Sequence, residues 1–457
     1  MGQCPFHPKS VNNKFGSLLT FLIKRRSWLD GLYSRSYTMK MGEVVLPKNH
    51  LFVVNDPNEV KKILNTEVKK YPKNEVLHKL LEPLLGESIF TTNGEQWKKQ
   101  RDLLNPSFSD LSVSKVFSQM TNAINEELQF LSQYDNKVFD IDKEMTFITA
   151  DIIFRTILSS KLDRKKALEI IDSFETYQEL TVHTAMKKFF NIPKIIISIF
   201  GENKRIKAGE KIRQTLSEII KPRYEEVSKL KENEVLEYND ILSTLLLVRD
   251  TKTNERFSFE EILDQIAMLF LAGHETTASS LTWSLYCLSL NPKIQEEAFK
   301  EIIDIKENGD FEISHLKQFK KTQNIFKEAL RLYPPVGFLT RENNEDVVIR
   351  KKNIKKGSSI VVAPWLIHRN ENNFHKPHEF LPNRWEEDKI NSSIYLPFGM
   401  GERVCIGANF AKQESVLILA NIIRKYKIEL EDGFVPDVVG RLTIRSNNGM
   451  RVSLVKR

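Results

Sequence analysis

The run Phe-Leu-Ala-Gly-His-Glu-Thr-Thr-Ala-Ser-Ser, residues 270–280, puts a histidine, a glutamate and two threonines in the most apolar part of the chain. His274-Glu275 starts like a zinc-protease signature, in which two histidines four apart on one helical face hold the metal. The residue four beyond His274 is Ala278, so the second ligand is missing and the zinc reading fails. Glu275, Thr276 and Thr277 need another purpose. A second run, Pro397–Gly407, holds Cys405 between Gly401 and Gly407, with Arg403 two residues before it. A helix is predicted to begin just after Cys405. Its dipole and the arginine would both favour the thiolate, and the glycines would let the backbone approach whatever the sulfur binds. Free cysteines are often plain core residues, but that reading leaves the glycines, the arginine and the helix start unexplained.

Two further pairs have helical spacing. Glu328 and Arg331 are three apart and Trp97 and Arg101 four apart, so each pair shares a helix face. On an exposed helix such pairs are common and contribute little.

Together these segments resemble the cytochrome P450 family. Phe398, Gly401, Arg403, Cys405 and Gly407 match its F-x-x-G-x-R-x-C-x-G haem loop, Glu328 and Arg331 its E-x-x-R, and Trp97 and Arg101 its W-x-x-x-R. Ala272-Gly273-His274-Glu275-Thr276-Thr277 matches the A/G-G-x-D/E-T-T of the long helix over the haem. The resemblance covers roughly Trp28 to the C-terminus, in the expected order. It implies haem b as cofactor, Cys405 as the axial ligand of its iron, and Thr276 and Glu275 as an alcohol–acid pair that steers protons. Gly273 would leave room for oxygen, and Thr276 would bond the carbonyl of Ala272. Arg403, Arg101, Trp97 and Arg341 would face the haem propionates, with Phe398, Gly407 and Ala272 lining the cofactor. Glu328, Arg331 and Arg384 would form a structural triad beneath it, with Asn383 where the family usually has glutamate. His368 reads as structural. The implied fold is mainly α with minor β, a helical prism with a long central helix and small β-sheets.

The implied reaction is insertion of one oxygen atom from O2 into a hydrophobic substrate such as a lipid or terpenoid. Peroxygenase or rearranging chemistry, and a non-enzymatic haem sensor, are the alternatives. The chain has no flavin or nucleotide-binding fingerprint, so electrons are expected from a separate ferredoxin or flavodoxin served by an NAD(P)H reductase. Lys98, Lys99 and Lys412 are candidates for its docking face. Substrate walls are expected from Ala272, Val336, Phe338, Leu339, a Tyr71–Thr92 loop and Leu442–Asn447.

The supporting elements are legible in outline. Ser258–Leu290 is the longest predicted helix, with Ser258 and Glu261 spaced as a capping box and Asn291-Pro292 at its end. Helical spacing also marks Trp97–Leu104, Val113–Ser132, Asp142–Leu158, Arg164–Thr181, Glu202–Lys231 and a last helix, Gly407–Tyr426. Tyr37–Pro47, Asn49–Asn55, Val347–Arg350 and Ser359–Ala363 read as strands, so the β part draws on both ends of the chain.

With 457 residues, length alone suggests two or three domains. The resemblance implies one haem domain over 1–457, with 1–27 as a loosely ordered or peripheral extension. The net charge is +8, but the lysines are scattered among glutamates and form no arm, and no nucleic-acid signature accompanies them. The three cysteines, Cys4, Cys287 and Cys405, are too dispersed for a disulfide scaffold or an all-cysteine metal site. Phe15–Ile23 is apolar but far shorter than the roughly 20 residues of a membrane span. A cytoplasmic protein of the soluble bacterial type is expected, with no transmembrane span and no fused reductase.

Overall fold

The computed structural model describes residues 5–8, 10–24, 26–45, 50–109, 114–189, 201–230, 235, 240–250, 253–387 and 390–457. Several predicted boundary residues (Leu46, Pro47, Asn49, Val113 and Lys231) and Cys4 lie outside the described residues.

In chain order the long helices are α1 (Lys14–Lys24), α2 (Glu75–Leu85), α3 (Gly94–Leu104), α4 (Phe117–Leu131), α5 (Ile141–Leu158), α6 (Arg164–Phe189), α7 (Asn203–Val227), α8 (Phe259–Ser289), α9 (Pro292–Ile305), α10 (Lys320–Leu332) and α11 (Ala408–Lys425). The strands are β1 (Met41–Val45), β2 (His50–Val54), β3 (Val138–Asp140), β4 (Leu339–Glu342), β5 (Val347–Ile349), β6 (Lys352–Ile354), β7 (Ser359–Val362), β8 (Tyr426–Leu430), β9 (Val438–Gly440), β10 (Ile444–Ser446) and β11 (Arg451–Lys456).

Helix α8 organises the rest. Its start is the predicted capping box: the Ser258 hydroxyl accepts from the Glu261 N–H at 3.3 Å, and the Glu261 carboxylate accepts from the Ser258 N–H at 2.8 Å. The helix runs 31 residues, about 46 Å at 1.5 Å per residue. From Ile262 to Leu288 every residue is buried except Ala272, Gly273 and Thr276. An all-round apolar helix is stable in water only when enclosed, and α8 packs against α5, α7, α10 and α11. The approach to α5 is close. A Cβ on Gly273 would lie 3.1 Å from Ile153 Cγ1, so this glycine sets the α5–α8 contact; the sequence reading had given it to oxygen access.

The main sheet has the order β1-β2-β7-β4, with β2 and β7 parallel and the outer pairs antiparallel. It joins the two ends of the chain, as the sequence suggested. The predicted Tyr71–Thr92 loop is corrected: its middle half is α2, capped by the Asn74 side chain accepting from the Val76 and Leu77 N–H groups. Its Pro83 and the short run hide it from periodicity. The β9–β10 hairpin was also missed, because three-residue strands carry almost no alternating signal. It docks on α8 through the Ile444 carbonyl, which accepts from Ser279 Oγ at 2.7 Å and Trp283 Nε1 at 3.1 Å.

Candidate active site

The cysteine loop is a tight backbone construction. Gly399 and Gly401 have φ of 74° and 73°, and a Cβ on Gly401 would meet the Leu64 carbonyl oxygen at 2.3 Å, so only glycine fits there. The Cys405 N–H donates to the Phe398 carbonyl at 2.9 Å. Helix α11 follows at once, with Gly407 as its N-cap.

Cys405 itself is exposed, yet it sits deep enough that desolvation pushes its thiol pKa up, against the Gly407 N–H, Arg101 and Lys412. The expectation that dipole and arginine would win is corrected for the free thiol: burial is the larger effect. The cations acting on the sulfur are also not the one expected. Arg101 donates to the Val404 carbonyl at 2.9 Å, whereas Arg403 turns away to the Tyr71 carbonyl at 3.0 Å.

Arg403 instead joins a group of cations. Its guanidinium lies 5.6 Å from the Trp97 ring centroid, and Lys73 Nζ lies 5.8 Å from the same ring. Lys73 is held well below its ordinary pKa by desolvation and by Arg403, Arg341 and Arg101. Burial pushes Arg341, on β4, down to about 10, with Arg403 adding to the effect. Arg341 Nε and Arg403 Nε are buried without a hydrogen-bond partner. Among the described residues the adjacent acids are peripheral: Glu402 is 3.9 Å from Arg403, and Asp102 is ion-paired with Lys98. Four converging cations destabilise a fold unless an anion joins them. Two buried propionates beside a cysteine loop meet that need, so these residues fit haem. Lys73 was missed by sequence reasoning. It stands among other charged residues, Lys69, Lys70, Glu75 and Lys79, so nothing in the local sequence sets it apart.

On α8 the Thr276 hydroxyl donates to the Ala272 carbonyl at 2.7 Å, as expected. Ala272 and Thr276 are two of the three partly exposed positions of that buried stretch, so they mark the face open to a ligand. Glu275 is not on that face. Its carboxylate accepts from Arg445 Nη2 at 2.7 Å, Arg445 Nε at 3.0 Å, Thr443 Oγ1 at 2.6 Å and Gln178 Nε2 at 2.9 Å. Although desolvation opposes ionisation, the arginine and these donors hold its pKa down to about 2. Arg445 also bonds Asp142 Oδ1 at 2.7 Å. Arg445 had been read only as part of an apolar wall segment. His274 donates through Nδ1–H to the Phe270 carbonyl at 2.7 Å, while its buried Nε2 has no hydrogen-bond partner.

Beneath the loop, Glu328, Arg331 and Arg384 form the expected triad. Arg331 bonds Glu328 at 2.8 and 2.9 Å and Arg384 reaches it at 3.0 Å, with both members of the Glu328–Arg331 pair fully buried. Trp385 Nε1 and the Leu381 N–H complete the carboxylate. Arg331 also ties the His368, Pro377 and Glu379 carbonyls. Asn383 is exposed, which explains why its departure from glutamate is harmless to the triad. His368 accepts the Leu396 N–H at 2.8 Å, two residues before Phe398, and its pKa is pushed down to about 3 by burial and by Arg331 and Arg369. Phe398 is half-buried beneath Lys412, whose Nζ is 5.2 Å from its ring.

A cysteine loop, a cationic anion cradle and a long helix opened by a threonine define a haem-thiolate protein. A family model, Cytochrome P450, matches residues 22–449, and the chain belongs to that family: it is a haem b monooxygenase. It is 28% identical over 439 residues to cytochrome P450 CYP749A22 of Panax ginseng, covering 94% of this chain and 81% of that one. It is 26% identical to human cytochrome P450 4Z1, covering 89% of this chain and 82% of the relative. Identity to the cyclooctatin synthase of Streptomyces melanosporofaciens is also 26%, over 84% of this chain and 82% of that protein. Among the described residues no helix is long and apolar enough to cross a membrane.

Proposed function

We propose that residues 1–457 form one cytoplasmic haem domain that oxygenates an apolar substrate, a lipid, terpenoid or similar molecule, with electrons from a separate ferredoxin or flavodoxin. The observation that carries this reading is the pairing of the Cys405 loop and its four-cation cradle with the Ala272–Thr276 face of α8. When bound, haem supplies the iron at which O2 is reduced. Cys405 would ligate that iron, and Arg101, Arg341, Arg403 and Lys73 would hold the propionates. Thr276 would hold or pass a proton at its hydroxyl, having already turned its own hydrogen toward Ala272. Partly exposed apolar groups, Val336, Phe338, Leu339 and Leu442, would bind the substrate and exclude water.

Reduced protein treated with carbon monoxide is expected to show the red-shifted Soret band of thiolate-ligated haem, and Cys405→Ala to lose it. An unchanged band in that variant would remove Cys405 from the role. Peroxide-driven turnover by the same haem is favoured by one observation, the withdrawal of Glu275 into its ion pair with Arg445. Turnover with peroxide alone, at the rate seen with electrons and O2, would decide for that alternative.

A further inference from the structure

Lys73 is fastened inside the cation cradle. Its N–H donates to Asn93 Oδ1 at 2.9 Å, its carbonyl accepts from Asn93 Nδ2 at 3.3 Å, and a β-bridge joins it to Arg341. Its Nζ donates to the Ile89 carbonyl at 2.5 Å and to the Thr92 carbonyl at 2.8 Å, both in the loop between α2 and α3. A lysine ammonium has three N–H donors. Among the described residues these two carbonyls are the acceptors that Nζ finds. The third donor has none, and the charges that act on the group are those of Arg403, Arg341 and Arg101. A neutral amine carries two N–H groups and fits this pair of carbonyls as it stands. The three guanidinium groups keep their protons near neutral pH, so in the haem-free chain the repulsion within the cradle can be relieved only at Lys73.

Lys73 also has a way to exchange a proton. It lines an open polar cleft of about 370 Å³, whose other charged walls are Glu75, His78, Lys79 and Glu82 of α2 and Glu87 just after it. These acids do not neutralise Lys73. Glu75 is paired with Lys79 at 2.5 Å, Glu87 faces His78 at 3.4 Å, and Glu82 is exposed. The cleft brings solvent to the amine, so a proton can arrive or leave without the fold opening. We propose that Lys73 couples haem retention to a proton: it stands as the neutral amine in the haem-free chain and takes one proton from the cleft when a propionate enters the cradle. The carboxylate stays ionised and accepts the new third N–H, while the bonds to Ile89 and Thr92 persist. This rests on the haem cradle proposed above. Haem raises the pKa of Lys73 from its depressed value, so the hold on haem is complete below the haem-free pKa. It weakens as pH rises toward the haem-bound one, by about tenfold in affinity per pH unit between the two.

The test counts protons. The haem-loaded full chain is mixed with excess apomyoglobin in weakly buffered solution at about pH 8, and the protons released per haem transferred are read with a pH indicator. Lys73→Met and Lys73→Arg set the baseline, because neither side chain changes its charge, and what apomyoglobin contributes is common to all three. Wild type is expected to release about one proton per haem more than either variant. Its rate of haem loss should also rise more steeply between about pH 7 and 9 than that of Lys73→Arg. Equal proton release by the three proteins would overturn the proposal while leaving the haem site in place, provided that each shows the red-shifted carbon monoxide band. A wild type without that band would remove the haem site and this proposal with it. If neither variant loads haem, Lys73 is followed in wild type by acetylation and peptide mass spectrometry. After haem transfer its reactivity should level off at a lower pH than that of exposed Lys79, and in the loaded chain it should not. A Lys73 that follows Lys79 in both states would overturn the proposal.

Discussion

At the residue scale, Thr276 and Lys73 separate chemistry from cofactor retention. Thr276 is half-exposed on the open face of α8 and bonds only its own helix. Thr276→Ala is therefore expected to keep the fold and to keep consuming NAD(P)H, while releasing more peroxide and less product. The check is product formed per NAD(P)H; an unchanged ratio would clear Thr276 of proton handling. Lys73 sits in a cradle of like charges. Lys73→Met removes one of four cations that repel one another in the apoprotein but hold anions in the holoprotein. Apoprotein melting is expected to rise while haem is lost faster to a haem acceptor such as apomyoglobin. If both change in the same direction, Lys73 is an ordinary packing residue.

At the element scale, α10 and the segment after it hold the cysteine loop through one buried carboxylate. Glu328 accepts from Arg331, Arg384, Trp385 and the Leu381 backbone. Glu328→Ala leaves two buried guanidinium groups short of their anion, at a cost of about 3–5 kcal/mol. Little haem-loaded protein should be recovered, and what is recovered should unfold at markedly lower denaturant. Glu328→Gln keeps the shape and some hydrogen bonds, so its yield should fall between the two. The close α5–α8 contact at Gly273 is a second element-level device. It brings Thr149 near enough to donate to the His274 carbonyl at 3.1 Å, which anchors α8 beside the point where Thr276 opens the facing turn.

At the scale of the whole molecule, charge acts through pH and through docking. Burial lowers the pKa of His7, His274, His368 and His378. A histidine held neutral by the fold stabilises it fully above its unfolded pKa near 6.5, and that stability is lost as pH falls. His368 at about 3 extends the loss over the longest range. Glu275, held at about 2 against an unfolded 4.5, adds a second loss below about pH 4.5. Burial acts the other way on Glu127, pushed up to about 8, and on Glu414, also raised, so the test is a difference: the urea midpoint of His368→Asn should fall less, or rise more, than that of wild type between about pH 6.5 and 4.5. Equal slopes in the two proteins would contradict the neutral assignment of His368. The expected basic docking face is weakened as a whole. Lys98 is bound to Asp102 at 2.5 Å and Lys99 to Glu255 at 3.2 Å. Charge reversal at Lys412 should therefore slow first-electron transfer more than reversal at Lys98 and Lys99, with the difference shrinking as salt rises.

The sequence by itself determined what depends on local spacing. A capping box, a run of buried apolar residues, three- and four-residue intervals and glycines around one cysteine are properties of contiguous chain, so α8, the Glu328–Arg331 pair, the Cys405 loop and Thr276 were legible in it. The triad was legible as far as its members, because each lies in its own short motif. What the tertiary structure alone decided is which distant groups meet. Arg445 reaches Glu275 across 170 residues on a hairpin too short to show periodicity, and that meeting sets the residue expected to relay protons in a buried ion pair. Lys73 enters the cradle because a β-bridge sets it beside Arg341. The sign of the Cys405 shift reversed for a related reason. Helix dipole and nearby arginine are visible along the chain, but desolvation is a sum over everything that surrounds a group, and no stretch of sequence contains its own surroundings.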